Sequence, residues 1–241
     1  MAEPQSLWMS LAWGDSGYGD EFFWGVCNTL LISVCGYAIA LVIGMLGAWA
    51  KLCHIKALNR AGDVYTTVVR SVPELLLILL IFYAGMSALT RLLIGLGLAE
   101  EGLQLNPMAG VITALSLVYG AYLTDVLRGG IQAVAKGQIE AAKAYGMHAT
   151  MRFVRILFPQ MIRFALPGMS NQWLNITKDS ALVSVVGVIE LVQVGRSAAN
   201  STKHFVFYYG VTGLIYLALT ICSLILLGRL EKRANRGVRR A

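Results

Sequence analysis

A run of residues that contains no charge, from Phe22 to Ala50, is the feature that most restricts how this chain can fold. About 20 apolar residues in a helix cross the hydrocarbon core of a bilayer, so this run can span a membrane with some tilt. The composition agrees, because 57% of the 241 residues are apolar and 14% are charged, whereas soluble domains have about 45–50% and about 25%. A soluble protein could not cover this much apolar surface, and we predict an all-α membrane protein.

Four further apolar segments follow, and we place them at about 64–89, 107–127, 164–194 and 205–228. Lys178 and Asp179 interrupt the segment that begins at 164, so we expect a helix to about Thr177, a break, and a short helix to Val194. Irregular backbone at membrane depth is tolerated only where protein or a water-filled cavity surrounds it. The sequence therefore predicts five transmembrane helices, one of them broken.

Basic residues are concentrated in the segments that follow the first, third and fifth spans. These segments hold 15 Lys and Arg residues, and the segments on the other side hold three. Because cytoplasmic loops carry the excess of Lys and Arg, we predict a periplasmic N-terminus and a cytoplasmic C-terminus. Residues 1–21 contain acids but no Lys or Arg, so we do not expect a cleaved signal peptide. The predicted organisation is a periplasmic segment at 1–21, a transmembrane domain at 22–230 and a basic cytoplasmic tail at 231–241.

The sequence lacks the signatures of several other functional classes. Its four cysteines show no CxxC spacing, its three histidines are scattered, and no HExxH, GxSxG or paired-acid motif is present, so we expect no metal, no catalytic residues and no cofactor on this chain. A GxxxxGK[ST] phosphate loop is also absent, so the chain is not predicted to be an ATPase. The net charge of +7 follows from the positive-inside pattern, and no nucleic-acid partner is expected.

A long, basic inside loop, residues 128–163, contains the most informative motif. Alanine-rich residues 138–145 favour a short helix, and Gly146 suits the left-handed position after its end. A second short helix is expected to run to Phe158 and to end before Pro159. We call residues 138–158 the elbow. From the residues alone, the elbow is either a docking surface for a partner or a well-capped connecting helix.

The elbow resembles the EAA loop of bacterial ABC-importer permeases. The family pattern is EAA, three residues, Gly, nine residues and Ile-x-Leu-Pro. This chain matches it at Glu140, Ala141, Ala142, Gly146, Ile156 and Pro159. It departs at Phe158, where leucine is expected, although phenylalanine is also large and apolar.

Two other segments resemble the subfamily of polar amino-acid permeases. Arg70 to Leu75 is similar to its second-span RGxP signature, with Ser71 in the usual glycine position, and Lys178 to Leu182 is similar to its K-D/S-[ST]-[AS]-L segment. The resemblance covers about residues 22–230. It is closest to the Q-type subunit of the histidine and lysine/arginine/ornithine permeases and of their opine-importing relatives.

The resemblance implies a type I ABC-importer permease fold in a bacterial inner membrane, with a coupling helix seated in an ATP-binding subunit. It implies two copies of that subunit, which hold ATP and Mg, and a periplasmic substrate-binding protein. It also implies a second permease, either a related M-type chain or a second copy. The imported solute is then a polar, basic amino acid or an opine-like derivative. An ATP-independent secondary transporter or channel subunit is the alternative function.

Charged residues within the spans are the candidates for the substrate path, because burying a charge in a membrane is costly. Asp179 lies at the predicted break, where it could meet a cationic substrate, pair with Lys178 or cap a helix. Arg70 and Glu74 are four residues apart and are expected to form a structural ion pair on one helix face, and Asp125 is expected to pair with Arg128. The complete set of substrate-path candidates is Asp179, Asn175, Glu190, Arg70 and Glu74.

Overall fold

The computed structural model of the chain describes residues 9–14, 17–98, 100 and 105–235. Within these ranges it contains helices and turns but no β-strand, which confirms the all-α prediction. The start of the predicted N-terminal segment (1–8) and the end of the predicted basic tail (236–241) lie outside the described residues. The α-helices are α1 Gly19–Leu52, α2 Lys56–Ser71, α3 Glu74–Leu80, α4 Met86–Gly95, α5 Pro107–Gln132, α6 Lys136–Ala144, α7 Ala149–Arg152, α8 Phe158–Asp179, α9 Leu191–Thr202 and α10 Phe205–Ala234.

The described helices provide four or five membrane spans. Four of them are long and apolar enough to cross a bilayer: Gly19–Leu52, Glu74–Gly95, Pro107–Gln132 and Phe205–Ala234. A fifth span results if Ala149–Val186 and Leu191–Thr202, which meet at a bend of 49°, are taken together. The prediction of about five spans, with a break in the fourth, is therefore confirmed.

The second span begins later than predicted. The expected helix from residue 64 to 89 is interrupted at Val72 and Pro73, so α2 is a separate helix and the span begins at Glu74. Val72 has extended backbone angles, φ −108° and ψ 142°. The cause is local, because the ring of a proline disfavours helical geometry in the residue before it.

The broken span also differs in its details from the prediction. α8 continues to Asp179 and passes directly into a 3-10 turn, Ser180–Val186. The second helix, α9, begins at Leu191 and runs to Thr202 instead of ending at Val194. The 3-10 turn extends α8 by about two helical turns. The interruption of the span therefore lies at residues 187–190, after the predicted position.

The chain divides into two compact units. The first comprises Met1–Gly36, Ile78–Leu115 and Asn175–Cys222, and the second comprises Tyr37–Leu77, Ser116–Leu174 and Ser223–Ala241. In the first unit, residues of α1, α9 and α10 form a buried apolar cluster. Its members are Phe22, Leu191, Val194, Ala198, Ala199 and Tyr208.

The second unit has its own core, which joins the two helices that flank the elbow. Buried residues of α5 and α8, together with Ala48 and Val134, form one cluster. At Gly130 of α5 the two helices approach so closely that a Cβ atom would lie 2.8 Å from Ala165 Cβ and 2.9 Å from the Met161 carbonyl oxygen. Because glycine has no Cβ atom, it permits this approach. The close contact fixes the end of α5 against the start of α8.

Candidate functional site

The first arm of the elbow, α6, ends in a glycine stop. The Gly146 amide donates to the Lys143 carbonyl oxygen at 2.9 Å, and the Met147 amide donates to the Ala142 carbonyl oxygen at 3.0 Å. Gly146 has a φ of +74°. These two bonds and the left-handed residue form a Schellman motif. The prediction that Gly146 terminates the helix is confirmed.

The residues of α6 divide between packing and exposure. Ala142 is buried, with 5% of its surface exposed, whereas Glu140 and Ala141 are exposed. Tyr145, at the tip, is 89% exposed. The elbow therefore presents a carboxylate, a small residue and an aromatic ring that its own unit does not cover.

The second arm departs from the prediction at its end. α7 continues through a π-helical turn, Phe153–Leu157, directly into α8, and Pro159 lies in the first turn of α8. The expectation that a helix ends before Pro159 is wrong. A proline lacks the amide proton that a regular helix would use, and the wider π turn before it accommodates this loss.

Side chains fasten the second arm to the turn of the elbow. The Arg152 guanidinium donates to the Met147 carbonyl oxygen at 2.8 Å. His148 caps α7, since its Nδ1 accepts from the Met151 amide at 3.3 Å. Ile156 is half-buried and Pro159 is exposed. The predicted helix–glycine–helix geometry is thus present over residues 138–158.

A network of charges lies in the same unit as the elbow. The Lys51 side chain is only 5% exposed. Its ammonium group contacts Thr66 Oγ1 at 2.7 Å, Asp125 Oδ1 at 2.9 Å and Asp63 Oδ1 at 3.0 Å. Because an ammonium group has three donors, these three oxygens satisfy it completely.

Asp125 also contacts one cation on α2 and another that lies three residues further along α5. Arg70 Nη1 lies 2.6 Å from Asp125 Oδ2, and Arg128 Nε lies 4.0 Å from Asp125 Oδ1, so the predicted contact with Arg128 is present. We call Lys51, Asp63, Thr66, Arg70 and Asp125 the Asp125 cluster.

The predicted arrangement of Arg70 and Glu74 on one helix face is wrong. The break at Val72 and Pro73 places Arg70 in α2 and Glu74 at the start of α3. Glu74 Oε1 accepts a hydrogen bond from the Tyr122 hydroxyl at 2.8 Å.

Asp179 is the last residue of α8, at the change from α-helix to 3-10 geometry. Its side chain is half-buried, and that of Lys178 is exposed. Asp179 occupies the N-cap position of the 3-10 turn without a side-chain capping bond. Asn175, one turn earlier in α8, is also half-buried. These two candidates therefore share the end of one helix.

Glu190 has a structural role. It is fully buried and caps α9, since its carboxylate accepts from the amides of Val192 at 2.9 Å and Gln193 at 2.8 Å. The Tyr216 hydroxyl of α10 donates to the same carboxylate at 3.1 Å. Glu190 thus fixes the start of α9 and connects it to α10.

Replacement of Glu190 by alanine should therefore lower the stability of the protein by about 2 kcal/mol, because the cap of α9 and the hydrogen bond from Tyr216 are both lost. Glu190→Gln keeps one acceptor oxygen and should cost less. Thermal unfolding of the detergent-purified protein measures both. Equal stability of Glu190→Ala and the parent would contradict the capping role.

Several important residues could not be identified from the sequence. Lys51 ends an apolar run and is indistinguishable there from an ordinary interfacial lysine, and Tyr122 is one tyrosine among ten. The only local sequence feature that pointed to this charge network was the position of Asp125 within an apolar segment. Among the described residues, no group of three or more His, Cys, Asp or Glu side chains is placed to hold a metal ion.

Comparison with known proteins identifies the family. The model of the family described as "Binding-protein-dependent transport system inner membrane component" matches residues 25–236. The chain belongs to this family. Its members are transport-system permeases, and the fold and the elbow fit a binding-protein-dependent permease.

Two relatives resemble this permease over almost their whole length. The nopaline transport system permease protein NocQ of Agrobacterium fabrum is 43% identical over 230 residues, which are 95% of this chain and 97% of the relative. The histidine/lysine/arginine/ornithine transport system permease protein HisQ of Salmonella typhimurium is 40% identical over 225 residues, 93% and 98% of the two chains. The predicted similarity to Q-type permeases is confirmed.

Solved structures show the same fold. A crystal structure of an amino acid ABC transporter with histidines matches with a TM-score of 0.76 and 29% identity, over 90% of this chain and 95% of that one. The inward-facing MetNI methionine ABC transporter matches with a TM-score of 0.68 over 98% and 100% of the chains, and at 18% identity it supports the fold alone. The predicted ABC-importer permease fold is confirmed, and nothing in these comparisons favours an ATP-independent transporter or channel.

Proposed function

We propose that the chain imports a polar amino acid, of the basic or opine-like class, as the membrane-spanning permease subunit of an ATP-driven importer. Support for the substrate class comes from relatives named for nopaline, octopine and histidine/lysine/arginine/ornithine transport. The observation that carries the mechanism is the exposed elbow, stopped at Gly146 and held between α5 and α8.

The elbow is the surface that couples transport to ATP hydrolysis on a separate chain. Glu140 and Ala141 lie on its exposed first arm, and Gly146 follows the end of that arm. Ile156 belongs to the second arm, and Pro159 follows in the first turn of α8. Ala142 is buried and supports the arm from within. An exposed aromatic such as Tyr145 suits a protein interface, because aromatic residues are enriched at such contacts.

The remaining assembly follows from this role. The elbow faces the cytoplasm of a bacterial cell, and the protein lies in the inner membrane. Two ATP-binding subunits supply ATP and Mg, a second permease subunit completes the pathway, and a periplasmic binding protein delivers the solute. The second permease is an M-type chain or another copy of this one. This chain itself performs no catalysis and holds no cofactor.

Within the substrate path, Asp179 and Asn175 are the strongest candidates for contact with the solute. Both are half-buried at the end of α8, and the 3-10 turn Ser180–Val186 separates them from the bend of the broken span. Discontinuous helices near the bilayer centre commonly build such sites. Glu190 caps α9, and Arg70 and Glu74 bind side chains of α5.

Replacement of Asp179 by asparagine should raise the half-saturating concentration of arginine about tenfold, since a charge-assisted hydrogen bond is lost. Uptake of a neutral amino acid carried by the same system should change little. The measurement is uptake of both solutes at several concentrations, with Lys178→Gln, at an exposed neighbour, as the control. Equal effects of Asp179→Asn on the uptake of the two solutes would contradict the proposal that Asp179 recognises the positive charge of the solute.

Purification of the chain with its neighbouring gene products tests the proposal as a whole. We expect an ATP-binding subunit to copurify and its ATPase activity to rise with a basic amino acid or opine and the binding protein. A permease that transports the solute without any ATP-binding subunit would contradict the proposal.

A further inference from the structure

Two residues of α5 contact the chain on either side of the break between α2 and α3, at Val72 and Pro73. Asp125 Oδ2 lies 2.6 Å from Arg70 Nη1, two residues before Val72. The Tyr122 hydroxyl donates to Glu74 Oε1 at 2.8 Å, immediately after Pro73. Tyr122 and Asp125 are three residues apart in a helix and so face the same direction. One face of α5 therefore holds both ends of the break.

The two contacts are also connected to each other. The Arg70 guanidinium lies over the Tyr122 ring, 5.8 Å from its centre, in a cation–π arrangement. Val72 is extended, and Pro73 has no amide proton to donate across the break. Side-chain contacts with α5 therefore hold α2 and α3 together where the backbone ladder does not. We call Arg70, Glu74, Tyr122 and Asp125 the break clamp.

The same helix leads directly into the elbow. α5 ends at Gln132, and α6 begins at Lys136. Between the break clamp and the elbow, α5 is packed against α8 at Gly130, and Asp125 is also bound to the buried Lys51 of α1. A displacement of the elbow is thus passed to a well-packed end of α5, to which the break clamp attaches α2 and α3.

We propose that Arg70, Glu74, Tyr122 and Asp125 are positioning residues that make α2 and α3 follow α5 when ATP-binding subunits displace the elbow. This inference rests on the proposed function. It gives Arg70 and Glu74 a role in coupling that does not require contact with the transported solute. It also explains why a charged residue stands on each side of the proline in Arg70 to Glu74.

The test compares Tyr122→Phe, Glu74→Met and the double variant in the complete complex, reconstituted into liposomes with its binding protein. Tyr122→Phe removes one hydroxyl and keeps the ring beneath Arg70. Each single variant should lower the solute moved per ATP hydrolysed at least about fivefold. The double variant should fall no further than the worse single variant, because both remove the same contact. Tyr83→Phe, at a 57% exposed tyrosine, is the matched control and should behave as the parent.

Three results would overturn the inference alone, provided that the parent complex shows ATP-dependent uptake. One is an unchanged ratio of solute to ATP in Tyr122→Phe. The second is a lower melting temperature with an unchanged ratio, which would make the contact merely structural. The third is a raised half-saturating solute concentration in the Glu74 variant with an unchanged ratio of solute to ATP, which would indicate that Glu74 contacts the solute. Absence of ATP-dependent uptake in the parent complex would instead overturn the proposed function, and this inference with it.

Discussion

Replacement of Glu140 by arginine is expected to reduce ATP-dependent uptake about a hundredfold or more while the protein still inserts into the membrane. Glu140 is exposed on α6, so its own unit does not require the carboxylate for folding. At the proposed interface the change replaces an anion by a cation, and a like-charge or unpaired charge at a docking surface costs several kcal/mol. Uptake of labelled arginine, divided by the amount of permease in the membrane, measures the effect.

A matched control separates docking from a general effect of added charge. Gln138 is exposed on the same helix, and two residues of an α-helix are about 200° apart around its axis. Gln138→Arg adds a cation to a different face and should retain most of the uptake. Normal uptake by Glu140→Arg, or an equal loss in both variants, would contradict the coupling role of the face that carries Glu140.

Replacement of Asp125 by alanine is expected to destabilise the protein by about 3 kcal/mol, because a buried cation loses a partner. Lys51 is 5% exposed and cannot turn towards water without leaving Thr66 and Asp63. Arg70, which is 51% exposed, can hydrate and contributes less. Adding Lys51→Met should restore much of the loss, since the double variant has no buried ion without a partner, and Asp63 and Arg70 are half exposed. Thermal unfolding of the purified variants gives the comparison.

The second carboxylate of the Asp125 cluster provides the control. Asp63 also contacts Lys51, but its side chain is 53% exposed. Asp63→Ala should therefore cost about 1 kcal/mol or less, as for other exposed ion pairs. The burial of Lys51 does not explain the loss of stability if Asp63→Ala destabilises the protein as much as Asp125→Ala does. The same holds if adding Lys51→Met to Asp125→Ala restores no stability.

The features that could be predicted from the sequence are those that depend on local pattern. The span from Phe22 requires only that apolar residues continue for the thickness of a bilayer. The stop at Gly146 requires only that glycine accept a left-handed conformation, and its φ of +74° agrees. The break near Asp179 was visible as two charges in an apolar segment, although the 3-10 turn moved the interruption to residues 187–190.

The side-chain contacts that were predicted wrongly or not predicted at all join segments that are far apart in the sequence. Lys51 and Asp125 are 74 residues apart, and Arg70 and Asp125 are 55 apart, so no spacing rule connects them. Arg70 and Glu74 have the spacing of a helical ion pair, but Pro73 between them breaks the helix and sends each to a different residue of α5. Pro73 is the sequence feature that indicates this break, because a proline disfavours helical geometry in the residue before it.

Coupling through the elbow is tested most directly by uptake into proteoliposomes that contain the permease complex, with the binding protein and a labelled basic amino acid outside and ATP inside. We expect accumulation that requires ATP hydrolysis on the side of the elbow and that is lost in Glu140→Arg. Accumulation that continues without ATP, or that Glu140→Arg leaves intact, would contradict the claim that the elbow couples transport to ATP hydrolysis.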